Sequence, residues 1–456
     1  MKLASLEHYS VKPGRFVQWV PETGAASGSA VAGAPAVMAV SENERFHLDS
    51  VRAGHLGWMT LVIDLPRSVP RELLWRMASE VMSRHDALRS HFVAGDDYVR
   101  HHHRDVPAVV DDEIDARHWD PQALTAEVLR RTASACNPLR PGGHFFSAVC
   151  RPDSTTVICA FDHAYVDARS LTVIAADITD VLAARPLRPV TSGLDEVRAH
   201  IRQPAVPADD PRLAGWERYL EQSDWQIPDF PLDLGVGPGE RKPMRTAMRT
   251  LVSADDAPEL GAGIRRHGGR TLSALLTAIG VAVHRSGGPE EMSTIIPAGP
   301  QTDRRFVGWV VDNIPMRVAC SGDPMELSRI NARRLAEATP LAEIGLTPVY
   351  QTFGDRLRRS RDDVFMLSYV DYTRWYTPAD GVEVRQLSGD HDTDNAQWWL
   401  WRDESGIHVR VRYPDTDQAE KIIDAVLSET VSVIGEISSR LGCSDIGGES
   451  ARGTVA

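Results

Sequence analysis

The chain has no pair of cysteines at CxxC spacing. Its five cysteines, Cys136, Cys150, Cys159, Cys320 and Cys443, are scattered and odd in number. That excludes a zinc ribbon and a disulfide framework, and it fits reduced thiols. No run of about 18 apolar residues occurs, so no membrane span is expected. The first residues, 1–16, lack the apolar core of a secretory signal, and a cytoplasmic location is expected. Positive charge is also short: 50 Lys and Arg stand against 63 Asp and Glu, for a net charge of −13. Broad nucleic-acid binding, which needs basic side chains on phosphates, is therefore not expected. GxSxG, Walker A and HExxH patterns are all missing, which weighs against α/β-hydrolases, kinases and zinc proteases. Gly235, Gly237 and Gly239 form a glycine-rich stretch, but it lacks the strand-to-helix setting of a nucleotide cradle and reads as a loop.

What is present is ordinary for a globular protein with a large core: 42% apolar and 25% charged residues. A length of 456 residues suggests two domains. Pro186, Pro189, Pro204, Pro207 and Pro211 mark residues 186–213 as a linker, with a short helix expected around 193–202. This predicts an N-terminal lobe over 1–185 and a C-terminal lobe over 214–443. Disorder is expected in the tail, 444–456, and flexibility in the Gly/Ala/Ser-rich stretch 21–37. Strands and helices mix in both halves without a βαβ repeat, so the fold class is α+β.

Residues 57–64 read as a strand. Ser68 and Pro70 then open a helix whose Leu74, Met77 and Val81, with Leu88 beyond, face inward. Residues 244–252 read as a strand, and Thr271 as the N-cap of an apolar helix. Ser293–Pro297, Val307–Val318 and Val364–Val370 read as strands or strand pairs. Trp398–Trp401 and Ile407–Tyr413 read as a hairpin. In its second arm Ile407, Val409, Val411 and Tyr413 alternate with His408, Arg410 and Arg412, which predicts one buried face. A helix over about 416–440 follows. His101, His102 and His103 invite a metal reading, but adjacent strand residues point to opposite faces, so at most two could share a site.

The stretch with most chemical content is Phe161 to Ala168. A run of β-formers, Thr155 to Phe161, delivers His163, and Asp167 follows four residues later. Leu171, Ile174, Ala175, Ile178, Val181 and Leu182 then recur at helical spacing. His163 thus sits where a buried strand gives way to a loop. Histidine is the side chain best suited to move a proton near neutral pH. The competing reading is a satisfied structural histidine, since HxxxD is short.

Several segments together resemble one superfamily, that of the condensation domains and chloramphenicol-acetyltransferase-like acyltransferases. Asp162-His163-Ala164-Tyr165-Val166-Asp167-Ala168 is similar to its HHxxxDG signature, with Asp for the first histidine and Ala for the glycine. Arg84 to Arg89 resembles RHxxLR, and Gly308 to Val318 resembles GxFxNxLPxRV. Asn137-Pro138-Leu139 sits where a PL pair precedes the strand before the histidine loop; Gly14 to Trp19, Asp229 to Leu232, Phe365 to Asp371 and Gln397 to Trp401 resemble the polyketide-associated branch, which acylates trehalose and lipids.

The resemblance implies two chloramphenicol-acetyltransferase-like lobes with a tunnel between them. It implies His163 as general base. Asp167 would be a loop-orienting residue with Arg304, Arg305 or Arg317 as partner. Asp162, Ala168, Trp309 and Asn313 would lie along the substrate tunnel. Asp162 is expected to touch structure or acceptor rather than polarise the imidazole, and a backbone N–H near Ala168 is a candidate oxyanion donor. Trp398, Trp399 and Trp401 shape either an acceptor pocket or the core. No metal and no cofactor is implied beyond an acyl thioester of CoA or phosphopantetheine as co-substrate. The partners implied are acyl-CoA or an acyl carrier protein in trans and a small-molecule alcohol. An amide-forming condensation enzyme and a non-catalytic docking module are the alternatives.

Overall fold

A computed structural model describes residues 1–4, 9–21, 36–55, 57–103, 109–201, 206–300, 302–389 and 391–442. The expected tail, Cys443 and residues 22–35 of the expected flexible stretch lie outside the described residues. The chain divides into two units, one of Met1–Gln203, Gln301–Val310 and Arg374–Gly389, the other of Pro204–Pro300, Val311–Thr373 and Asp390–Ala456. Two short segments from the second half therefore group with the first unit.

The first unit is built on a seven-stranded sheet. Its centre is the antiparallel pair Trp58–Leu65 and Thr155–Asp162, with Trp58 opposite Asp162 and Leu65 opposite Thr155. Glu383–Ser388 flanks the first of these and His144–Cys150 the second. Every residue of Thr155–Asp162 is buried. Both faces must then be covered, which explains its near-continuous apolar run. On one face Trp58, Val62, Ile158, Ala160, Phe145 and Val149 pack with Leu124 and Val128 of the helix Pro121–Ala135. The helices Ala168–Leu182 and Arg71–Arg84 pack on each other, and the first also touches the Trp58–Leu65 strand. Burying each such large apolar side chain contributes about 1.5–3 kcal/mol before the entropy of ordering it.

The segment read as a linker contains the short helix expected within it. It holds the helix Gly193–Ile201, whose Leu194 and Val197 pack with Phe306 and Val310. Asp86 accepts hydrogen bonds from Gly193 N and Leu194 N at 2.9 and 3.3 Å.

A three-stranded sheet orders Ala36–Met38, Tyr98–His102 and Ser90–Ala94. His91 lies 5.5 Å from His101 and 4.9 Å from His103, ring to ring, and its Nδ1 is 2.7 Å from His103 Nε2. The alternation holds, with positions 101 and 103 meeting one neighbour. Among the described residues no cluster suits a metal ion.

The second unit carries a five-stranded sheet in the order Leu367–Asp371, Gln397–Asp403, Gly406–Pro414, Lys242–Ser253, Asp392–Thr393, and a separate pair, Glu291–Ala298 with Asp312–Ala319. Three helices, Thr271–Arg285, Pro324–Ala338 and Asp417–Arg440, pack together in its core.

Four local expectations are corrected. Arg71–Arg84 is preceded by Pro70 without a side-chain cap, so Ser68 plays no capping part. Thr271 is the first helical residue, and its neighbour Ser273 takes the hydrogen bond from Arg270 N at 2.9 Å. Of Val307–Val318 only the end is strand, Asp312–Ala319, because residues 307–311 form a loop. The hairpin arm Gly406–Pro414 is buried along its whole length. Its arginines are accommodated because the guanidiniums of Arg410 and Arg412 lie 4.7 and 5.0 Å from the Trp399 ring. Trp398 and Trp401 are 1% exposed and belong to the core.

The four described cysteines are free. Burial raises the thiol pKa of Cys136, Cys150, Cys159 and Cys320, the last to about 12, so they are poor nucleophiles. Among the described residues no helix is long and apolar enough to cross a membrane.

Candidate active site

The central sheet strand stops at Asp162, and its pairing runs one residue further: His163 N donates to Gly57 O at 3.0 Å. The chain then tightens, with Tyr165 N donating to Asp162 O at 3.0 Å and Val166 N to His163 O at 3.3 Å. The buried Tyr165 hydroxyl donates to Pro138 O at 3.1 Å, which ties the Asn137-Pro138-Leu139 segment to this loop.

Asp167 ends the loop as the N-cap of Ala168–Leu182. Its Oδ1 accepts from Ser170 N at 2.7 Å and Ser170 Oγ at 2.8 Å. Ser170 Oγ in turn accepts from Gly308 N at 3.1 Å. One hydroxyl thus fastens the start of this helix to the segment that carries Trp309. Burial raises the Asp167 pKa, against the hydrogen bonds from Ser170 and the nearby Arg169 charge.

His163 stands against Trp309, ring centroids 4.2 Å apart and planes tilted by 41°. Its Nδ1 is sealed from solvent and has no partner at full hydrogen-bond geometry, leaning on its own main chain and that of Val166. With Nδ1 sealed, Nε2 is the candidate nitrogen for proton transfer. Burial first, and the nearby His47 second, hold the His163 pKa down to about 4. The ring is neutral at physiological pH and able to accept a proton.

Asp162 is fully buried. Its Oδ1 accepts from Ala164 N at 2.9 Å and lies 2.7 Å from His47 Nε2. His47 belongs to the helix Glu42–Arg52, which opens with a capping box of Ser41 and Glu44. One turn before His47, Glu44 accepts from Arg100 at 2.7 Å, and the same guanidinium nitrogen donates to Ala164 O at 2.8 Å. Glu44 and Arg100 are buried, 0% and 1% exposed, and Arg100 lies over the Phe92 ring at 4.4 Å. One helix thus reaches both Asp162 and, through Arg100, Ala164.

The arginines expected beside Asp167 go elsewhere. Arg304 pairs with Glu196 at 2.8 Å. Arg305 pairs with the buried Asp177 at 3.0 Å. Arg317, in the second unit, pairs with Glu291 at 2.7 Å. The reason is local: Asp167 is occupied by the helix start it caps. Asp177 also takes Arg84 Nε at 2.8 Å and His85 Nε2 at 3.1 Å, so the RHxxLR-like segment builds a structural junction. Burial opposes the Asp177 charge, but these partners hold its pKa below the usual range. Ala168 is the first residue of its helix. Asn313 lies buried on Asp312–Ala319 in the second unit, opposite Pro297.

His47, Glu44, Arg100, Ser170 and Asp177 were not singled out from sequence. The capping-box pattern at Ser41–Glu44 was the available signal for the first two. The others meet their partners only in the fold.

No family model matches the chain. Two curated acyltransferases of Mycobacterium tuberculosis are similar to it along almost its whole length. The 2'-acyl-2-O-sulfo-trehalose (hydroxy)phthioceranyltransferase PapA1 is 22% identical over 96% of this chain and 89% of its own. The acyltransferase PapA3 is 22% identical over 96% of this chain and 97% of its own. Among solved structures, a PapA2 acyl transferase superposes with a TM-score of 0.83 at 19% identity, covering 96% of this chain and 100% of that one. The first condensation domain of the calcium-dependent antibiotic synthetase gives 0.66 at 14% identity, over 91% and 98%. The epimerization domain from the third module of tyrocidine synthetase B gives 0.70 at 14% identity, over 89% and 98%. The homology supports an acyltransferase, similar over almost its whole length to PapA1 and PapA3, and the fold is the one shared by the PapA2 acyl transferase and the condensation domains.

Proposed function

We propose that the chain moves an acyl group from a thioester of CoA or of a carrier-protein phosphopantetheine to a hydroxyl of a sugar such as trehalose, or of a polyketide or other natural-product acceptor. The observation that carries this reading is the state of His163: neutral, sealed on Nδ1 and packed on Trp309.

His163 Nε2 takes the proton of the acceptor hydroxyl as its oxygen attacks the thioester carbonyl. The tetrahedral intermediate collapses, the C–S bond breaks, and the leaving sulfur takes the proton back from the imidazolium. Ester and free thiol result, and no other reactant is needed. A positioned base contributes roughly 10²–10⁴-fold. With Ser170 N taken by Asp167, a backbone N–H nearer Ala168 is the one this reading assigns to the developing oxyanion. The name of the PapA1 relative, which acts on a sulfated trehalose, supports a sugar as the first acceptor to try.

A non-catalytic docking module would be expected to tie His163 by both ring nitrogens. Here His163 Nδ1 is sealed and has no partner at full hydrogen-bond geometry, which favours the enzyme.

The test is to incubate wild-type and His163→Ala protein with acyl-CoA and carrier-bound donors and acceptors including trehalose, following free thiol and product mass. Transfer lost with His163 is the expected result. Equal inertness of both proteins across all donors would overturn the reading.

A further inference from the structure

The pair His47 and Asp162 has no part in the transfer just described, yet it lies beside the base. His47 Nε2 and Asp162 Oδ1 are 2.7 Å apart, with the side chains 13% and 0% exposed. The His47 ring is 6.1 Å from that of His163 and meets Trp309 edge-on at 5.9 Å. The second Asp162 oxygen is sealed and has no hydrogen-bond partner. Gly57, whose carbonyl receives the His163 N–H, has no room for a side chain: a Cβ there would lie 2.8 Å from His47 Cε1. The close seat of His47 and the anchoring of the base thus share one residue.

We propose that His47 is a positioning residue for the base: bound to Asp162, it places a second imidazole from the Glu42–Arg52 helix beside His163 and Trp309. The proposal rests on the acyl-transfer reading, in which His163 is the base.

The surrounding charges agree with it. Facing His47 are Asp162, His163 and, on its own helix, Glu44. Asp162 also feels His144, Tyr165 and Cys136 from neighbouring elements. Arg100 is engaged with Glu44. Burial opposes charge on His47, but the Asp162 carboxylate outweighs it and the His47 pKa is raised. His47 in turn helps hold the His163 pKa down, after burial.

The test is proton NMR titration of the histidine Cε1–H signals in the full chain, for wild type, His47→Gln and Asp162→Asn, beside kcat and KM with palmitoyl-CoA and trehalose. In wild type, His163 titrates near pH 4 and His47 above 6.5. In His47→Gln the His163 midpoint rises toward 6.5 and kcat falls by about 10²-fold, the scale of a misplaced reacting group, with KM little changed. In Asp162→Asn the His47 midpoint drops. An unmoved His163 midpoint in His47→Gln, or an unmoved His47 midpoint in Asp162→Asn, overturns the proposal. The second variant carries the test if the first does not fold. Expected titrations in a wild type inert toward every donor would sink the acyl-transfer reading and leave the pair standing. Active protein with unmoved midpoints would do the reverse.

Discussion

Ser170 Oγ receives the Gly308 N–H at 3.1 Å while it binds the Asp167 carboxylate at 2.8 Å. Asp167 therefore holds the segment that carries Trp309, the ring packed on His163, from two sides: through Ser170 to Gly308, and by the Val310 backbone N–H. An aspartate in this role is a helix cap and a relay of position, not half of an ion pair.

Replacing Asp167 by Ala should then cost about 1 kcal/mol, the scale of a lost N-cap. Breaking a buried ion pair would cost about 3–5 kcal/mol. Urea unfolding of the variant discriminates the two, and a loss in the larger range would mean that a cationic partner is present after all.

Trp309→Ala should lower kcat by about 3- to 10-fold, since aromatic ring contacts are worth roughly 0.5–1.5 kcal/mol. Trp309→Phe should recover most of that. Steady-state kinetics would show it, and equal losses in the two variants would shift the role of Trp309 from ring contact to shape.

The pH profile follows from the depressed His163 pKa of about 4. kcat/KM should stay level from neutral pH down to about 5 and drop about tenfold per unit below 4, as the base is protonated. For stability the signs differ between the two histidines. His163 is neutral in the fold while the unfolded chain takes a proton near 6.5, so its burial weakens the fold as pH falls from 6.5 toward 4. His47 has a raised pKa; what it contributes is complete below 6.5 and lost as pH rises through its folded value. Thermal unfolding across this range, in wild type and His47→Gln, separates them.

Arg100→Leu should destabilise the chain by about 3–5 kcal/mol, because it strands the fully buried Glu44. Arg100→Leu with Glu44→Gln should recover part of the loss. A double-mutant cycle in urea measures the coupling, and additive losses would mean the two groups act independently.

Much of the local order was legible in the chain. The strand that ends at His163 showed as a β-former run, and the following helix as a clean 3.6-residue repeat. Position 162 was also readable, because alternation turns it away from its neighbour. What it turns toward was not: His47 lies 115 residues away, and nothing local announces the pairing. The same holds for Arg305, which sits near the right motif but serves Asp177, 128 residues distant. The arginines at 410 and 412 misled for another reason. Charged residues alternating with apolar ones look solvent-facing, and only the neighbouring strand reveals the Trp399 ring that lets them be buried.

Because one helix grips the base loop at two points, the residue at 162 is not free to vary alone. A histidine at that position would set two imidazoles against each other where a carboxylate and an imidazole now meet, and would leave His47 without its hydrogen-bond partner. The loop and the Glu42–Arg52 helix therefore form a single exchangeable part: a transplant of His163 with its surroundings into another scaffold has to carry Glu44, His47, Gly57 and Arg100 along with the seven residues from Asp162 to Ala168.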